Sequence, residues 1–169
     1  MWPKVTLSIF RPAVQNALVC LLAYLAGFHL SWAVGGAPTY IGALWATISG
    51  IVVLQGTRRA TIDTAWLRVL GTLIGSIISA LYLSLLPFSP LGMAASIGTA
   101  VLLCNLFGFP DHARLAALTV AVIMVVSIVD PKINPLINAG LRFAESCIGT
   151  GLAVLAVVLW PEGDQPVGK

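Results

Sequence analysis

Charge is what this sequence has least of. Its 169 residues include 9 Lys and Arg and 6 Asp and Glu, so that only 9% are charged, against roughly 25% in soluble domains. Hydrophobic residues make up 59%, and the mean hydropathy is +0.98. This balance excludes an ordinary soluble domain and predicts an all-α integral membrane protein, with residues 1–169 forming a single domain.

Patterns for metal, catalysis and nucleic acid are also missing. The three cysteines, Cys20, Cys104 and Cys147, fit no metal motif, and their odd number argues against a disulfide framework. The chain contains no GxSxG, no phosphate loop and no HExxH. Its net charge of +3 comes from scattered side chains and not from a basic tract. We therefore predict no metal, no cofactor, no enzymatic activity and no nucleic-acid partner.

Long apolar segments are what the sequence does have. Six are separated by Gly, Pro or charged turns, and most approach the roughly 20 residues that span a bilayer. The first is interpreted as a retained membrane helix and not as a signal peptide. Asn134 followed by Pro135 is typical of a helix start. The predicted spans are about 12–32, 40–54, 64–86, 91–109, 113–129 and 135–160.

Basic residues gather on one side of this six-span topology. With six spans, both termini share a side with the loops at 55–63 and 110–114. The positive-inside rule then predicts an inner-membrane protein with both termini in the cytoplasm. The residues on that side are Lys4, Arg11, Arg58, Arg59, Arg114 and Lys169.

An internal repeat relates the third and sixth segments. Leu67-Arg68 aligns with Leu141-Arg142, and at the same offset Ile74-Gly75-Ser76 aligns with Ile148-Gly149-Thr150. A unit of three spans crosses the membrane an odd number of times, so its second copy must be inverted. We predict two inverted three-helix repeats, at about 10–88 and 89–161, a pattern common in transporters. Chance similarity between apolar helices is the alternative.

Helical spacing gives each repeat a stripe of small and polar residues behind an arginine. Arg68, Gly71, Thr72, Gly75 and Ser79 share one face of the third segment. An intramembrane arginine is costly unless it is paired or faces water. The stripes predict either a path for anions or a structural anchor, and Glu145 strengthens the second interpretation for Arg142. The sixth segment carries Arg142, Glu145, Ser146, Gly149 and Ala153.

The stretch from Trp45 to Gly75 resembles the membrane domain of the fusaric acid resistance and aromatic acid exporter family. The resemblance rests on Trp45, on Val53-Leu54-Gln55, on the basic pair Arg58-Arg59, and on the Arg-x-x-Gly-Thr-x-x-Gly pattern that begins at Arg68. It implies efflux of aromatic carboxylates or related organic anions. The plant aluminium-activated malate transporters look like distant relatives, which implies that anion conduction and dimers are possible on this scaffold.

These observations lead to three functional hypotheses. The first is an organic-anion exporter that works as a homo-oligomer in the lipid bilayer, with a dimer favoured. The second is a passive anion channel, and the third is a non-transporting membrane subunit. Arg58 and Arg59 are expected to determine topology or to gather anions at a cytoplasmic entrance. Gly71, Gly75 and Gly149 are expected to pack helices closely. The predicted substrate-binding residues are Arg68, Thr72, Arg142, Glu145 and Ser146.

Overall fold

Six α-helices form the described part of the protein. A computed structural model describes residues 7–34 and 39–160, with side chains from Phe10 onward. The described residues contain no strand, and a single 3₁₀ turn at Pro110–His112 precedes the fifth helix. The helices are α1 (Leu7–Val34), α2 (Thr39–Val53), α3 (Arg58–Leu85), α4 (Pro90–Leu106), α5 (Ala113–Val129) and α6 (Pro135–Leu159).

Polar caps begin three of these helices. The side chain of Thr57 accepts from the backbone N–H of Ala60 at the start of α3, and Ser89 accepts from Gly92 at the start of α4. Asn134 accepts from the N–H of Leu136, with Pro135 as the first residue of α6. Each cap supplies an acceptor to an N–H group that has no partner within the helix. The predicted start of α6 is therefore confirmed.

The predicted boundary of α3 was wrong. The sequence interpretation placed the basic pair in a loop and began the helix near Thr64, but α3 begins at Arg58. The cap at Thr57 explains the difference, because it extends the helix by almost two turns ahead of the apolar run. Lys4 and Lys169, which contributed to the predicted orientation, lie outside the described residues, as do residues 35–38 between the first two predicted spans.

Four of the helices are long and apolar enough to span a membrane: α1, α3, α6, and α5 together with the 3₁₀ turn that precedes it. The helices α2 and α4 are apolar but have 15 and 17 residues. At 1.5 Å per residue they extend about 22 Å and about 25 Å, less than the roughly 30 Å of a hydrocarbon core. The chain is thus a multi-pass helical membrane protein, and the count of six spans stays a prediction.

The packing of the helices is organised around α3 and α6. These two helices contact each other, α6 also packs against α2 and α1, and α3 also packs against α5 and α4. Exchanging α1 with α4, α2 with α5 and α3 with α6 maps each packed pair of α-helices onto a packed pair, and the pair α3–α6 onto itself. The predicted inverted repeat requires such an exchange, and the repeat itself stays a prediction.

The helices α3 and α6 run antiparallel. Ala65 shares an apolar cluster with Ala153, whereas Ala80, later in α3, shares one with Ala139, earlier in α6. Between these clusters the hydroxyl of Thr72 lies 3.2 Å from that of Ser146. The two helices therefore cross near their midpoints, with apolar contacts towards either end.

Glycine allows two of the helix contacts to be made by backbone alone. A Cβ at Gly149 would collide with the carbonyl oxygen of Ala46 on α2, and a Cβ at Gly75 would lie 2.5 Å from the carbonyl oxygen of Ala116 on α5. These distances favour the predicted packing role of the glycines, which stays a prediction. Gly71 likewise lies against Leu115 and the carbonyl oxygen of His112.

We expect Gly149→Ala to lower the thermal stability of the protein in detergent, because the methyl group would force α6 away from α2. Overpacking of this kind costs about 1–3 kcal/mol. Gly151→Ala is the matched control, since that glycine lies on the exposed side of the same helix with no atom within 4 Å. Equal melting temperatures for the two variants would contradict the close contact.

Candidate functional site

Arg68 is fully buried within the helix bundle. Its Nε and Nη2 atoms donate to the hydroxyl oxygen of Ser49, at 3.2 Å and 2.9 Å. Its Nη1 atom is buried and has no hydrogen-bond partner among the described residues. No acid pairs with it either, because the single salt bridge among those residues joins Arg142 to Glu145. The guanidinium charge is therefore oriented by a neutral hydroxyl and is balanced by no carboxylate.

The indole ring of Trp45 forms one wall beside this guanidinium. The Cζ atom of Arg68 lies 4.7 Å from the centroid of the ring, within the range of a cation–π interaction. The Nε1 atom of Trp45 is itself a buried donor without a partner among the described residues. Two unused N–H donors thus belong to two side chains in direct contact, an arrangement suited to a group that only accepts hydrogen bonds.

Hydroxyl groups connect the three central helices. Ser49 of α2 lies 3.3 Å from Ser146 of α6, which in turn lies 3.2 Å from Thr72 of α3. Thr72 and Ser146 occupy equivalent positions in the two aligned segments, so that the two halves meet at matching residues. A neutral polar seam therefore passes through the middle of the bundle, beside Arg68.

Arg142 lies on the other side of this seam and is also fully buried. Its Nη2 atom donates to Oε1 of Glu145 at 3.0 Å, and Ser31 of α1 donates to the same oxygen at 2.6 Å. Nε and Nη1 of Arg142, and Oε2 of Glu145, are buried without partners in the described part of the chain. Arg142 is thus paired with the carboxylate of Glu145, and polar atoms of both side chains remain without a hydrogen-bond partner among the described residues.

In the antiparallel register, each arginine has a further hydroxyl side chain at the same height on the opposite helix. Arg68 lies four residues before Thr72 on α3, and Thr150 lies four residues after Ser146 on α6, so Arg68 and Thr150 are at the same height. In the same way Arg142 is level with Ser76. The Oγ atoms of Thr150 and Ser76 are buried without partners among the described residues. Both levels therefore contain a guanidinium together with polar atoms that the described protein does not satisfy.

The five residues of the predicted stripe on α3 are all buried, as are the corresponding residues of α6. Leu73, Ile77 and Leu81, which the helical spacing places off the stripe, are exposed on the outer surface. The structure thus brings together the five residues predicted to bind substrate. Their role in binding stays a prediction.

The profile of the family described as fusaric acid resistance protein-like matches residues 18–156. The chain belongs to this family. Its members are transport proteins and not enzymes, so the family indicates a transport function for this multi-pass membrane chain. No curated protein matches the chain significantly. No solved structure does so either.

The family's basic pair does not belong to the buried site. Arg58 and Arg59 are exposed at the first two positions of α3. They precede Arg68 by nine or ten residues, which corresponds to about 14 Å along a helix. A predicted role in gathering anions therefore concerns the end of the bundle, and it stays a prediction.

Ser49 and Ser31 were missing from the residues predicted to form the site, and Trp45 was noted only as part of the family motif. A signal for two of them was present, because Gly42, Trp45, Ser49 and Val53 recur at helical spacing and all are buried on one face of α2. Ser31 stands alone near the end of an apolar helix, and no pattern in the sequence connects it to Glu145.

Ser49→Ala should destabilise the folded protein, because it removes the acceptor of two N–H groups of Arg68 and leaves them buried and unpaired. The cost is expected to be about 1–3 kcal/mol, visible as a lower melting temperature in detergent. Ser84→Ala is the control, since Ser84 also donates to the carbonyl four residues earlier, at 2.7 Å, and contacts no arginine through that hydroxyl. If both variants have the same melting temperature, Ser49 does not hold the guanidinium.

Proposed function

We propose that this protein exports aromatic carboxylates or related organic anions across the inner membrane, along a path that contains Arg68 and Arg142. The observation that carries the proposal is the buried guanidinium of Arg68, which has no carboxylate partner within residues 7–34 and 39–160. A charge at the centre of a membrane helix costs about 3 kcal/mol on insertion scales. A purely structural arginine would lower that cost with an acid, as Arg142 does with Glu145.

The geometry of Arg68 favours a carboxylate as its ligand. Ser49 occupies Nε and one hydrogen of Nη2, which leaves the edge between Nη1 and Nη2 available. That edge presents two parallel N–H groups, the arrangement that binds a carboxylate in a bidentate manner. The unused indole N–H of Trp45 adds a third donor, and its ring adds an aromatic surface beside the charge.

The packing of the helices supports alternating use of two equivalent sites. The exchange of α1–α3 with α4–α6 preserves the packed pairs, and it interchanges Arg68 with Arg142. Because α3 and α6 are antiparallel, the two arginines lie on opposite sides of the Thr72–Ser146 contact. In an inverted repeat they would lie towards opposite sides of the membrane, and the interface between them would lie near the midplane, where such transporters commonly bind their substrates.

Arg68→Ala should abolish benzoate uptake into proteoliposomes while the protein remains folded, since Ser49 keeps Trp45 and Ser146 as partners. Loss of a charged hydrogen bond should weaken benzoate binding by about 10- to 150-fold. Arg68→Lys should bind with intermediate affinity, because it keeps the charge and loses the planar fork. Radiolabelled benzoate flux above the leak of protein-free liposomes is the measurement.

The control for this experiment is Arg114→Ala, which removes an exposed arginine far from the seam in sequence. Unchanged flux in Arg68→Ala would exclude Arg68 from substrate binding. Wild-type flux that is indifferent to a proton gradient would make the protein a passive channel. Absence of any benzoate flux in the wild type would leave the non-transporting membrane subunit.

We also propose that the protein works as a homodimer. Of the four long spans, α1 has the smallest share of residues buried within the subunit. Its exposed side chains would meet either lipid or a second copy. The large exposed residues on α1 include Phe10, Val14, Leu18, Leu21, Leu22 and Leu25.

Native mass spectrometry in mild detergent should therefore show a dimer. Leu18→Trp together with Leu22→Trp should shift the population towards monomer, because bulky groups would separate two copies that meet through α1. The same pair of changes at Leu102 and Leu106, exposed residues of α4, serves as the control. A wild-type protein that is monomeric at all concentrations would contradict the dimer.

A further inference from the structure

The two buried arginines differ in one neighbour. Three residues after Arg142 stands Glu145, which forms the salt bridge, and three residues after Arg68 stands Gly71. At Gly71 a side chain has no room, because a Cβ there would lie 2.7 Å from Cβ of Leu115 and 3.0 Å from the carbonyl oxygen of His112. The position three residues after Arg142 therefore carries a carboxylate, whereas the equivalent position after Arg68 does not.

Glu145 is held in place by groups that bond only one of its oxygens. Oε1 accepts from Arg142 and from Ser31, whereas Oε2 is buried without a partner among the described residues. Gly42 of α2 leaves room for this carboxyl group, since a Cβ at that position would collide with both Oε1 of Glu145 and the hydroxyl of Ser31. The salt bridge thus occupies a shaped space, with one oxygen still able to take a proton.

We infer that Glu145 is an internal competitor for Arg142, and that an organic anion binds to Arg142 only as Glu145 takes up a proton. This inference rests on the proposed anion transport. The ionised carboxylate of Glu145 bonds Nη2 of Arg142, the nitrogen that belongs to both edges through which a guanidinium binds a carboxylate in a bidentate manner. Protonation at Oε2 removes its negative charge, the ion pair opens, and Arg142 becomes available to the anion.

The charge balance favours this coupled exchange. With Glu145 ionised, the positive charge of Arg142 is balanced by one carboxylate. With Glu145 protonated and an anion bound, it is again balanced by one carboxylate. Binding the anion without a proton would place two carboxylates at one arginine in a buried site, where like charges repel strongly. One proton therefore enters with each anion bound at Arg142.

Other ionisable groups around Glu145 are few. Its own helix contributes Arg142, and α3 contributes Arg68, which reaches the same polar seam through Ser49 and Ser146. The neighbouring part of α1 contributes the neutral Ser31, with His29 exposed nearby in the sequence, and α2 contributes Gly42. Among these groups, Glu145 is the one that can take up a proton while the bound anion supplies the negative charge that Arg142 would otherwise lose.

Coupled binding has a direction that can be measured. Because the anion-bound state holds one more proton than the free state, a rise in pH weakens binding where Glu145 is ionised in the free protein. The apparent affinity at Arg142 should then fall by up to about tenfold per pH unit. Anion and proton move together, so that export proceeds when the outward anion gradient exceeds the inward proton gradient.

The test is isothermal titration of the purified protein in detergent with benzoate, between about pH 6 and about pH 8, where a simple carboxylate stays ionised. Titrations in two buffers with different ionisation enthalpies give the number of protons taken up. The wild type should take up protons as benzoate binds, to a limit of one per chain. Glu145→Gln should bind benzoate more tightly at about pH 8, without proton uptake.

Ser31→Ala is the matched variant, because it removes one hydrogen bond from Glu145 and keeps the ionisable group. It should bind benzoate more tightly than the wild type and still take up protons, and it decides the question if Glu145→Gln does not fold. Benzoate binding without proton uptake in the wild type, or uptake that persists in Glu145→Gln, overturns the inference and leaves the proposed function standing. A wild type that does not bind benzoate defeats the proposed function itself.

Discussion

The cost of burying the guanidinium of Arg68 is the constraint on which the rest of the bundle depends. Taking a full charge out of water is unfavourable, and the described protein offsets this with a hydroxyl and an aromatic face but no opposite charge. Ser49 has to lie within hydrogen-bonding distance of Arg68, and this fixes α2 against α3. Ser146 and Thr72 then extend the polar contact to α6. The central helices are thus positioned by the needs of one side chain.

The two halves of the bundle each bury one guanidinium charge, and they accommodate it in different ways. On one side the carboxylate of Glu145 reaches back along its own helix and neutralises Arg142. Gly42 of α2 leaves the space that this side chain occupies. On the other side Gly71 brings α5 so close to α3 that no acid could stand at the equivalent position. Under the proposed mechanism, Arg68 is always available to an anion and Arg142 only when Glu145 takes up a proton, within a framework whose helix pairing is otherwise matched.

The sequence predicted the helices and the stripe well, because both follow from local patterns. Hydropathy located all six helices, and helical spacing identified Arg68, Gly71, Thr72 and Gly75 as one face that the structure buries. The start of α3 was misplaced because a cap at Thr57 extends it beyond the apolar run. The contact of Ser31 with Glu145 joins residues 114 positions apart, and no periodicity within one segment records such a pairing. The spacing of Ser49 indicated a buried face of α2, but it did not show that this serine holds the guanidinium, because Ser49 also donates to a carbonyl of its own helix.

The glycine contacts determine where the bundle can yield. At Gly149 and Gly75 the backbones of α6 and α3 touch those of α2 and α5 with no side chain between them. Such contacts cannot adjust by a change of side-chain rotamer, so we expect each of these helix pairs to move as one rigid unit. The crossing of α3 with α6 is different, because it rests on hydroxyl groups that can exchange donors and acceptors as they slide. We therefore expect any opening of the bundle to occur at the crossing of α3 with α6, beside which both arginines lie.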